Sequence, residues 1–189
     1  MSKRRSINFA RRALEEHLCS DRRSTVRALT RAGWCVAGRG AFSTVLRHPE
    51  HPGAVVKVGD NISRQIGSFA DGFRTYAQWI LDMRVRRRNA LRVYHLNQLR
   101  SFFVAVVEEL LPLKRGEHRE FINRAEATGK NMSDYFYFKE PKGHELPRGS
   151  ARRLLADLIR MGVPDIHRGN IMKRADGTLV FSDPINIQI

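Results

Sequence analysis

The chain has 189 residues, 42% of them hydrophobic, so it is long enough for one domain with a substantial apolar core. Its formal net charge is +15, which favours acidic partners: nucleic acid, acidic protein surfaces or nucleotide phosphates. The two cysteines form neither a metal-type pair nor a disulfide framework, the longest apolar run is too short to cross a bilayer, and the basic start lacks the apolar segment of a signal peptide. We therefore expect a cytoplasmic protein with no membrane association.

Residues 1–33 are predicted to form two short amphipathic helices. Apolar residues recur near helical spacing, and Ser20 or Asp21 is a candidate N-cap for the second helix, which Gly33 is expected to end. Nine Lys and Arg stand against three Asp and Glu in this segment. That excess indicates either a solvated helical face or a docking surface for an acidic partner.

Three short strands are predicted at 34–37, 44–46 and 54–58. A glycine turn, Gly38-Arg-Gly-Ala-Phe-Ser43, joins the first two, and the turn-rich segment 48–53 joins the others. In a dinucleotide-binding fold such a glycine turn opens a helix, and a P-loop ends in Gly-Lys-Ser/Thr, so both are excluded. The turn is either a phosphate-binding loop with bare backbone N–H groups or an ordinary hairpin bulge.

Lys57 lies inside the third, apolar strand. Its side chain points either to solvent or into the interior, where it needs an anion because burial of an unpaired charge is costly. Considered together with the glycine turn, this lysine is predicted to bind phosphate.

The middle of the chain alternates helix and strand signals. Residues 68–83 have near-helical apolar spacing, and 93–96 and 101–108 read as paired strands. Between them, residues 84–92 carry five arginines and no acid. This run is either a solvated turn or a contact patch for phosphate or acidic partners, and with no aromatic residue interleaved it does not favour single-strand nucleic-acid stacking.

Beyond the strands, Glu108 to Pro112 is a natural lobe boundary, and residues 113–150 are predicted to be helical or loop. Ser150 is a candidate N-cap for a helix over 151–161, which has one apolar stripe and which Gly162 ends.

Three oxygen-bearing side chains recur near the end of the chain. Asp165 precedes Asn170 by five residues, and Asp183 follows Asn170 by thirteen. Asp176-Gly177, between two short apolar runs, is a strong signal for a tight hairpin that would bring Asp183 back beside Asn170. Carboxylate and amide oxygens at this spacing suit Mg²⁺ and phosphate chemistry.

Taken together, the motifs in the N-terminal and C-terminal parts of the chain resemble those of proteins with the protein-kinase-like fold and, more narrowly, those of the early serine/threonine kinases of short-tailed bacteriophages. The resemblance rests on segments 38–49, 55–59, 165–172 and 182–184. It implies an α+β, two-lobe fold in a single compact domain. The N-terminal helices (1–33) would precede an antiparallel N-lobe (34–110) and a reduced, mostly helical C-lobe (111–189) that ends just after the metal-binding Asp.

The resemblance also implies roles for individual residues, with ATP and Mg²⁺ as cofactors. Lys57 would pair with the α- and β-phosphates, and Asp165 would orient the acceptor hydroxyl and take its proton. Asn170 and Asp183 would hold Mg²⁺. The implied nucleotide-binding set comprises Gly38, Arg39, Gly40, Ala41, Phe42, Ser43, Val45, Lys57 and Glu108.

Some positions depart from the family pattern. Ser43 stands where a third loop glycine is usual, and Pro184 replaces the Phe of the metal-binding triplet. The helix after the third strand should offer a Glu to Lys57, yet residues 61–81 contain a single acid, Asp71. Asp71 or Gln78 is the expected substitute.

Four functions remain open from the sequence. The leading interpretation is an ATP- and Mg²⁺-dependent serine/threonine kinase that modifies host proteins with acidic surfaces in the bacterial cytoplasm during phage takeover. A kinase-like protein that binds and inhibits a host partner is the alternative. A small-molecule phosphotransferase and a nucleic-acid-binding protein are the lesser ones, and no motif supports the last.

Overall fold

The chain was analysed as a computed structural model, which describes residues 2–40, 42–61, 69–114, 154, 157–158, 160–164 and 169–188. The named helices are α1 (Lys3–His17), α2 (Arg22–Arg31) and α3 (Phe73–Asp82), and the described residues between 154 and 161 are helical as well. The strands are β1 (Cys35–Arg39), β2 (Ser43–Arg47), β3 (Ala54–Asp60), β4 (Phe69–Asp71), β5 (Val93–Gln98), β6 (Phe102–Glu108), β7 (Leu111–Pro112), β8 (Val163–Pro164), β9 (Ile171–Lys173), β10 (Leu179–Phe181) and β11 (Ile185–Gln188).

A five-stranded antiparallel sheet, in the order β1-β2-β3-β6-β5, forms the centre of an α+β fold. The middle strands β3 and β6 pair along their whole length, from Ala54 opposite Glu108 to Asp60 opposite Phe102. Every residue of β6 is buried, because both faces of the sheet are covered. This explains why both strands read as nearly continuous apolar runs instead of alternating ones.

Elements pack on both faces of this sheet and form two separate apolar cores. Helices α1 and α2 cover one face, where Leu29 and Trp34 pack on Val56. Helix α3 and the C-terminal strands cover the other, where Phe73 packs among Val55 and residues of β9 to β11. Because side chains alternate along a strand, Val56 and Val58 face the first core, and Val55 and Lys57 face the second.

The N-terminal helices form where the sequence predicts them. Asp21, one of the two candidate caps, accepts a hydrogen bond from the Ser24 N–H at 2.9 Å and caps α2. Gly33 follows the end of α2 with a φ of +90°, a conformation that glycine adopts without strain. Within the described part of the chain, no helix combines the length and the apolar character that crossing a membrane requires.

The predicted hairpin at Asp176-Gly177 is confirmed. It joins β9 to β10, with Gly177 at a φ of +82° and the Thr178 N–H donating to Asp176 Oδ1 at 2.9 Å. Strand β7 pairs with the outer side of β9, so the chain leaving the large sheet docks directly onto this hairpin.

Two boundaries differ from the sequence-based expectation. The helix predicted over 68–83 begins at Phe73, because Phe69–Asp71 forms β4, which pairs antiparallel with β11. The chain also continues as β11 after Asp183 and does not end its ordered structure at Pro184. Each difference has the same cause, a strand pairing between segments more than 100 residues apart that local propensity does not report. The predictions for 115–150 lie outside the described residues.

Gly72 marks the point where α3 meets β11. A Cβ at this position would lie 2.5 Å from the Ile185 carbonyl oxygen and 2.7 Å from its Cγ1. We expect Gly72→Ala to lower the free energy of unfolding by about 1–3 kcal/mol, since the backbone itself must shift. Gly38→Ala is the control, because nothing lies within 4 Å of its added methyl group. Urea denaturation measures both, and equal midpoints would contradict the close approach.

Candidate active site

Lys57 and Asp183 meet in the structure, although 126 residues separate them along the chain. Lys57 Nζ lies 2.6 Å from Asp183 Oδ2. Lys57 is only 5% exposed, whereas the Asp183 side chain retains 27% of its exposure. A buried ammonium needs an anionic partner. Asp183 supplies that partner, and its side chain is the more exposed of the two.

The register of the sheet fixes the direction of Lys57. Its neighbours across the strands are Val45 on β2 and Ala105 on β6. Since Val56 and Val58 point into the core under α1 and α2, Lys57 must point to the other face, towards α3 and Asp183. Of the two orientations open from the sequence, the structure adopts the interior one.

Helix α3 presents an aromatic ring, and not an acid, to Lys57. The ammonium lies 3.6 Å from the centroid of the Phe73 ring, in cation–π geometry. The expected substitute Gln78 is engaged elsewhere: its amide donates to Asp82 at 2.7 Å and accepts from Gln98 at 3.0 Å. Of the two substitutes expected from the sequence, Gln78 is therefore not the partner of Lys57. Asp71 belongs to β4, and its side chain lies outside what the structure describes.

The hairpin brings Asn170 next to the strand end that carries Asp183. Asn170 directly precedes β9, and its carbonyl oxygen accepts a hydrogen bond of 2.9 Å from the Ser182 N–H. The predicted proximity of the two chain segments is thus confirmed. Their side chains offer the carboxylate and amide oxygens that Mg²⁺ prefers. The predicted catalytic residue Asp165 lies outside the described residues.

The glycine turn closes the β1–β2 hairpin. The Gly40 N–H donates to the Ser43 carbonyl at 2.9 Å, and Phe42 accepts from the Asp60 N–H at 3.0 Å. All of β1, including Gly38 and Arg39, is exposed, so the backbone here is open to a ligand. Ala41 lies outside the described residues. This hairpin geometry is compatible with both interpretations of the turn, phosphate-binding loop and plain hairpin.

Gly38, Val45 and Lys57 lie in one row across neighbouring strands. Two strand spacings therefore separate Gly38 from Lys57, about 10 Å between their backbones. Half-buried Val45 packs against the core that contains Phe73. The hydrogen bonds between the strands therefore fix the positions of Gly38, Val45 and Lys57 relative to one another.

Glu108, which the sequence also placed in the nucleotide set, is an anchor for the hairpin. Its carboxylate is 3% exposed and receives two hydrogen bonds from Arg174, at 2.8 and 2.6 Å. The Arg92 N–H donates a third at 2.9 Å. The Glu108 carboxylate already accepts three hydrogen bonds within the protein. The predicted contact of Glu108 with a nucleotide would therefore have to be made by its backbone.

Arg174 is the residue that sequence reasoning missed. Besides Glu108, its guanidinium donates to the carbonyl oxygens of Arg88 and Ala90. It thereby fastens the β9–β10 hairpin to the end of β6 and to the chain entering β5. Glu108 and Arg174 are 66 residues apart, and no local pattern marks either as a partner of the other.

Tyr76 fixes α3 to the same hairpin. Its hydroxyl donates to the Phe181 carbonyl at 3.0 Å and accepts from the Leu91 N–H at 3.1 Å. Burial raises the pKa of Tyr76, and the negative charge of Asp183 adds to the rise, so the side chain stays a neutral donor. The helix that carries Phe73 and the strand that leads to Asp183 are consequently held together.

The basic run 84–92 is partly used inside the fold. Arg87 pairs with Asp157 and lies 5.9 Å from the Trp79 ring. The Asn89 side chain donates to the Leu179 carbonyl at 2.9 Å. These contacts connect the run to the C-terminal elements, so it is not simply a solvated turn.

A separate cleft of about 850 Å³ lies on the α2 side of the large sheet. Arg22, Arg39 and Asp60 line it, and Arg22 pairs with Asp60 at 2.5 Å. Neither Lys57 nor Asp183 belongs to its lining. The glycine turn therefore borders this cleft through Arg39 and Gly40, but the cleft is not the Lys57–Asp183 site.

No protein-family model matches the chain, and a search of curated proteins returns no match. The function is accordingly inferred from the residues of the site.

Proposed function

We propose that the protein binds ATP together with Mg²⁺ and transfers the γ-phosphate to serine or threonine side chains of other proteins. The observation that carries this proposal is the Lys57–Asp183 pair, in which a buried ammonium lies 2.6 Å from the carboxylate of an aspartate whose side chain is 27% exposed. Such a pair supplies both groups that a metal–nucleotide complex needs, a cation for the phosphates and an oxygen ligand for the metal.

The position of the lysine supports the same assignment. In protein kinases the lysine that holds the phosphates lies on the third strand of the N-terminal sheet. Lys57 lies on β3, beside the glycine hairpin of β1 and β2. The strand order and the following helix α3 fit an N-lobe of this kind, while the two-lobe arrangement is part of the proposal.

Each residue then has a defined task. Lys57 exchanges the Asp183 carboxylate for phosphate oxygens, and backbone N–H groups of the glycine turn other than that of Gly40, which is bonded to Ser43, cover the phosphates. Asp183 and Asn170 offer oxygen ligands to Mg²⁺, which when bound neutralises charge on the transferred group. Asp165, five residues before Asn170, orients the acceptor hydroxyl and accepts its proton.

The charge of the chain favours acidic protein substrates. With a net charge of +15, association with acidic surfaces is accelerated by electrostatic steering. On the resemblance to phage kinases, these substrates are host proteins in the bacterial cytoplasm.

Transfer of labelled phosphate tests the proposal. We expect wild-type protein with γ-³²P-ATP and Mg²⁺ to label bacterial lysate proteins or itself on serine or threonine. Asp165→Asn is expected to lose this activity by at least about 10²-fold, because the acceptor is no longer positioned or deprotonated. Equal labelling by both proteins, or none by either, would overturn the assignment.

A second candidate is a kinase-like protein that binds a host partner without turnover. The observation that favours it is Phe73, which occupies the place on α3 where an acid would orient Lys57. In that case nucleotide would bind and no phosphate would be transferred in the labelling experiment.

A further inference from the structure

A different group of ligating side chains lies in the turn between β2 and β3. His48, Glu50 and His51 each place one ligand atom within 4.8 Å of the others. We propose that this turn binds a divalent transition-metal ion, with Zn²⁺ as the best fit. The site is independent of the proposed nucleotide site.

Two buried nitrogen atoms without partners carry the proposal. The Nδ1 atoms of His48 and His51 are both buried and have no hydrogen-bond partner among the described residues. A buried polar atom left without a partner costs about 1–3 kcal/mol. Coordination of one ion through both Nδ1 atoms would satisfy them together, which packing of the rings alone does not.

The surrounding residues hold both imidazoles in place. The Phe9 ring of α1 stacks on His51, with 3.6 Å between ring centroids and an interplanar angle of 16°. Trp34 meets His48 edge-on at 5.5 Å. The backbone N–H of His51 donates to the backbone carbonyl of His48 at 3.2 Å and closes the turn between the two residues. Ligands restrained in this way lose little side-chain entropy when a metal binds.

The space beside His48 depends on Gly33. A Cβ at Gly33 would lie 3.3 Å from His48 Nε2, tighter than ordinary van der Waals contact. The glycine that follows α2 therefore also leaves room for this imidazole. The lack of a side chain at position 33 fits a histidine that must keep one orientation.

The ligand types select the metal. Two imidazoles and one carboxylate form a mixed nitrogen and oxygen ligand set that suits Zn²⁺, with a fourth position left for water, whereas Mg²⁺ prefers oxygen ligands alone. In a tetrahedral site with Zn–N bonds of about 2.0–2.1 Å, neighbouring ligand atoms are about 3.3 Å apart. The three ligand atoms must therefore close by up to roughly 1.5 Å from the 4.8 Å limit. The exposed Glu50 can close its own distance by changing its rotamer, and any closure between the two imidazoles comes from a small shift of the turn.

Zinc binding would strengthen the contact between α1 and the large sheet. The turn already touches α1 through the Ser6 hydroxyl, which donates to the Pro52 carbonyl at 2.7 Å, and through Phe9. An ion that binds the folded turn and not the unfolded chain raises stability by mass action. The expected effect is thus on unfolding and not on catalysis.

Titration of the full chain with ZnCl₂, monitored by calorimetry and by thermal unfolding, tests the site. We expect one ion per chain and a rise in Tm of about 5–10 °C at a hundredfold excess over Kd. His48→Gln is expected to weaken binding by at least about 100-fold, and the exposed Glu50→Gln by about tenfold without a change in fold. Binding of Co²⁺ should give the absorption bands of a tetrahedral site.

Two control variants separate this site from others. His95→Gln removes a half-buried histidine on β5, outside the cluster, and should leave zinc binding unchanged. Asp183→Asn should do the same, because the nucleotide site is elsewhere. The proposal is overturned if wild type shows no zinc response, or if His48→Gln and Glu50→Gln bind zinc as wild type does.

Discussion

Replacing Lys57 by methionine is expected to lower phosphoryl transfer by at least about 10²-fold, while the midpoint of thermal unfolding changes by only a few degrees. Transfer falls because the ammonium that neutralises the phosphates is gone. Stability is retained because methionine fills a similar volume against the Phe73 ring, where the ammonium now lies 3.6 Å from the centroid. Asp183, with 27% of its side chain exposed, can be hydrated when it loses its partner.

Lys3→Met is the matched control for this experiment. Lys3 lies on α1, 5.4 Å from the centroid of the Tyr94 ring, on the sheet face opposite the site. The Lys3→Met variant loses one positive charge by the same substitution, and its rate of phosphoryl transfer should stay within about twofold of wild type. Initial rates with labelled ATP and thermal unfolding would be measured on both variants. A Lys57→Met protein as active as Lys3→Met would contradict the proposed role of Lys57.

Replacing Arg174 by methionine is expected to lower the free energy of unfolding by about 3–5 kcal/mol. The change leaves the Glu108 carboxylate, which is 3% exposed, buried without its cation. It also removes the guanidinium donor from the Ala90 carbonyl, now at 2.9 Å. Urea denaturation gives the free energy of unfolding of each variant.

Two further variants test whether this loss of stability comes from the buried charge of Glu108. Asp60→Asn breaks the Arg22–Asp60 pair, whose side chains are 25% and 33% exposed, and should cost no more than about 1 kcal/mol. The double variant Arg174→Met with Glu108→Gln should recover at least half of the single-variant loss, since no charge remains buried. If Arg174→Met costs no more than Asp60→Asn, the buried pair does not anchor the hairpin.

Features with a local sequence signal were predicted well. Asp21 was one of two candidate N-caps for α2, and in the structure its side chain accepts a hydrogen bond from the Ser24 N–H. The pair Asp176-Gly177 predicted a turn because glycine adopts a positive φ there without strain. In both cases the determining interaction spans a few residues, so the pattern contains the information.

Features that depend on distant contacts were not predictable in the same way. Strand β4 was taken for helix because its partner β11 lies more than 100 residues later. Gln78, one of the two expected substitutes, does not face Lys57, and the Phe73 ring lies beside the ammonium instead, because the rotation of α3 is set by its core packing. No local sequence pattern marked Arg174 as an anchor of the hairpin, since its partner Glu108 is 66 residues away.

Equilibrium titration of wild-type protein with ATP, with and without Mg²⁺, tests the central claim most directly, because binding does not require turnover. We predict saturable binding that Mg²⁺ tightens by at least about tenfold. In Asp183→Asn the advantage from Mg²⁺ should disappear, and in Lys57→Met binding should be weak with or without the metal. Wild-type protein that binds no ATP at millimolar concentration, or an Asp183→Asn protein that keeps the full Mg²⁺ effect, would contradict the assignment of this pair as a metal–nucleotide site.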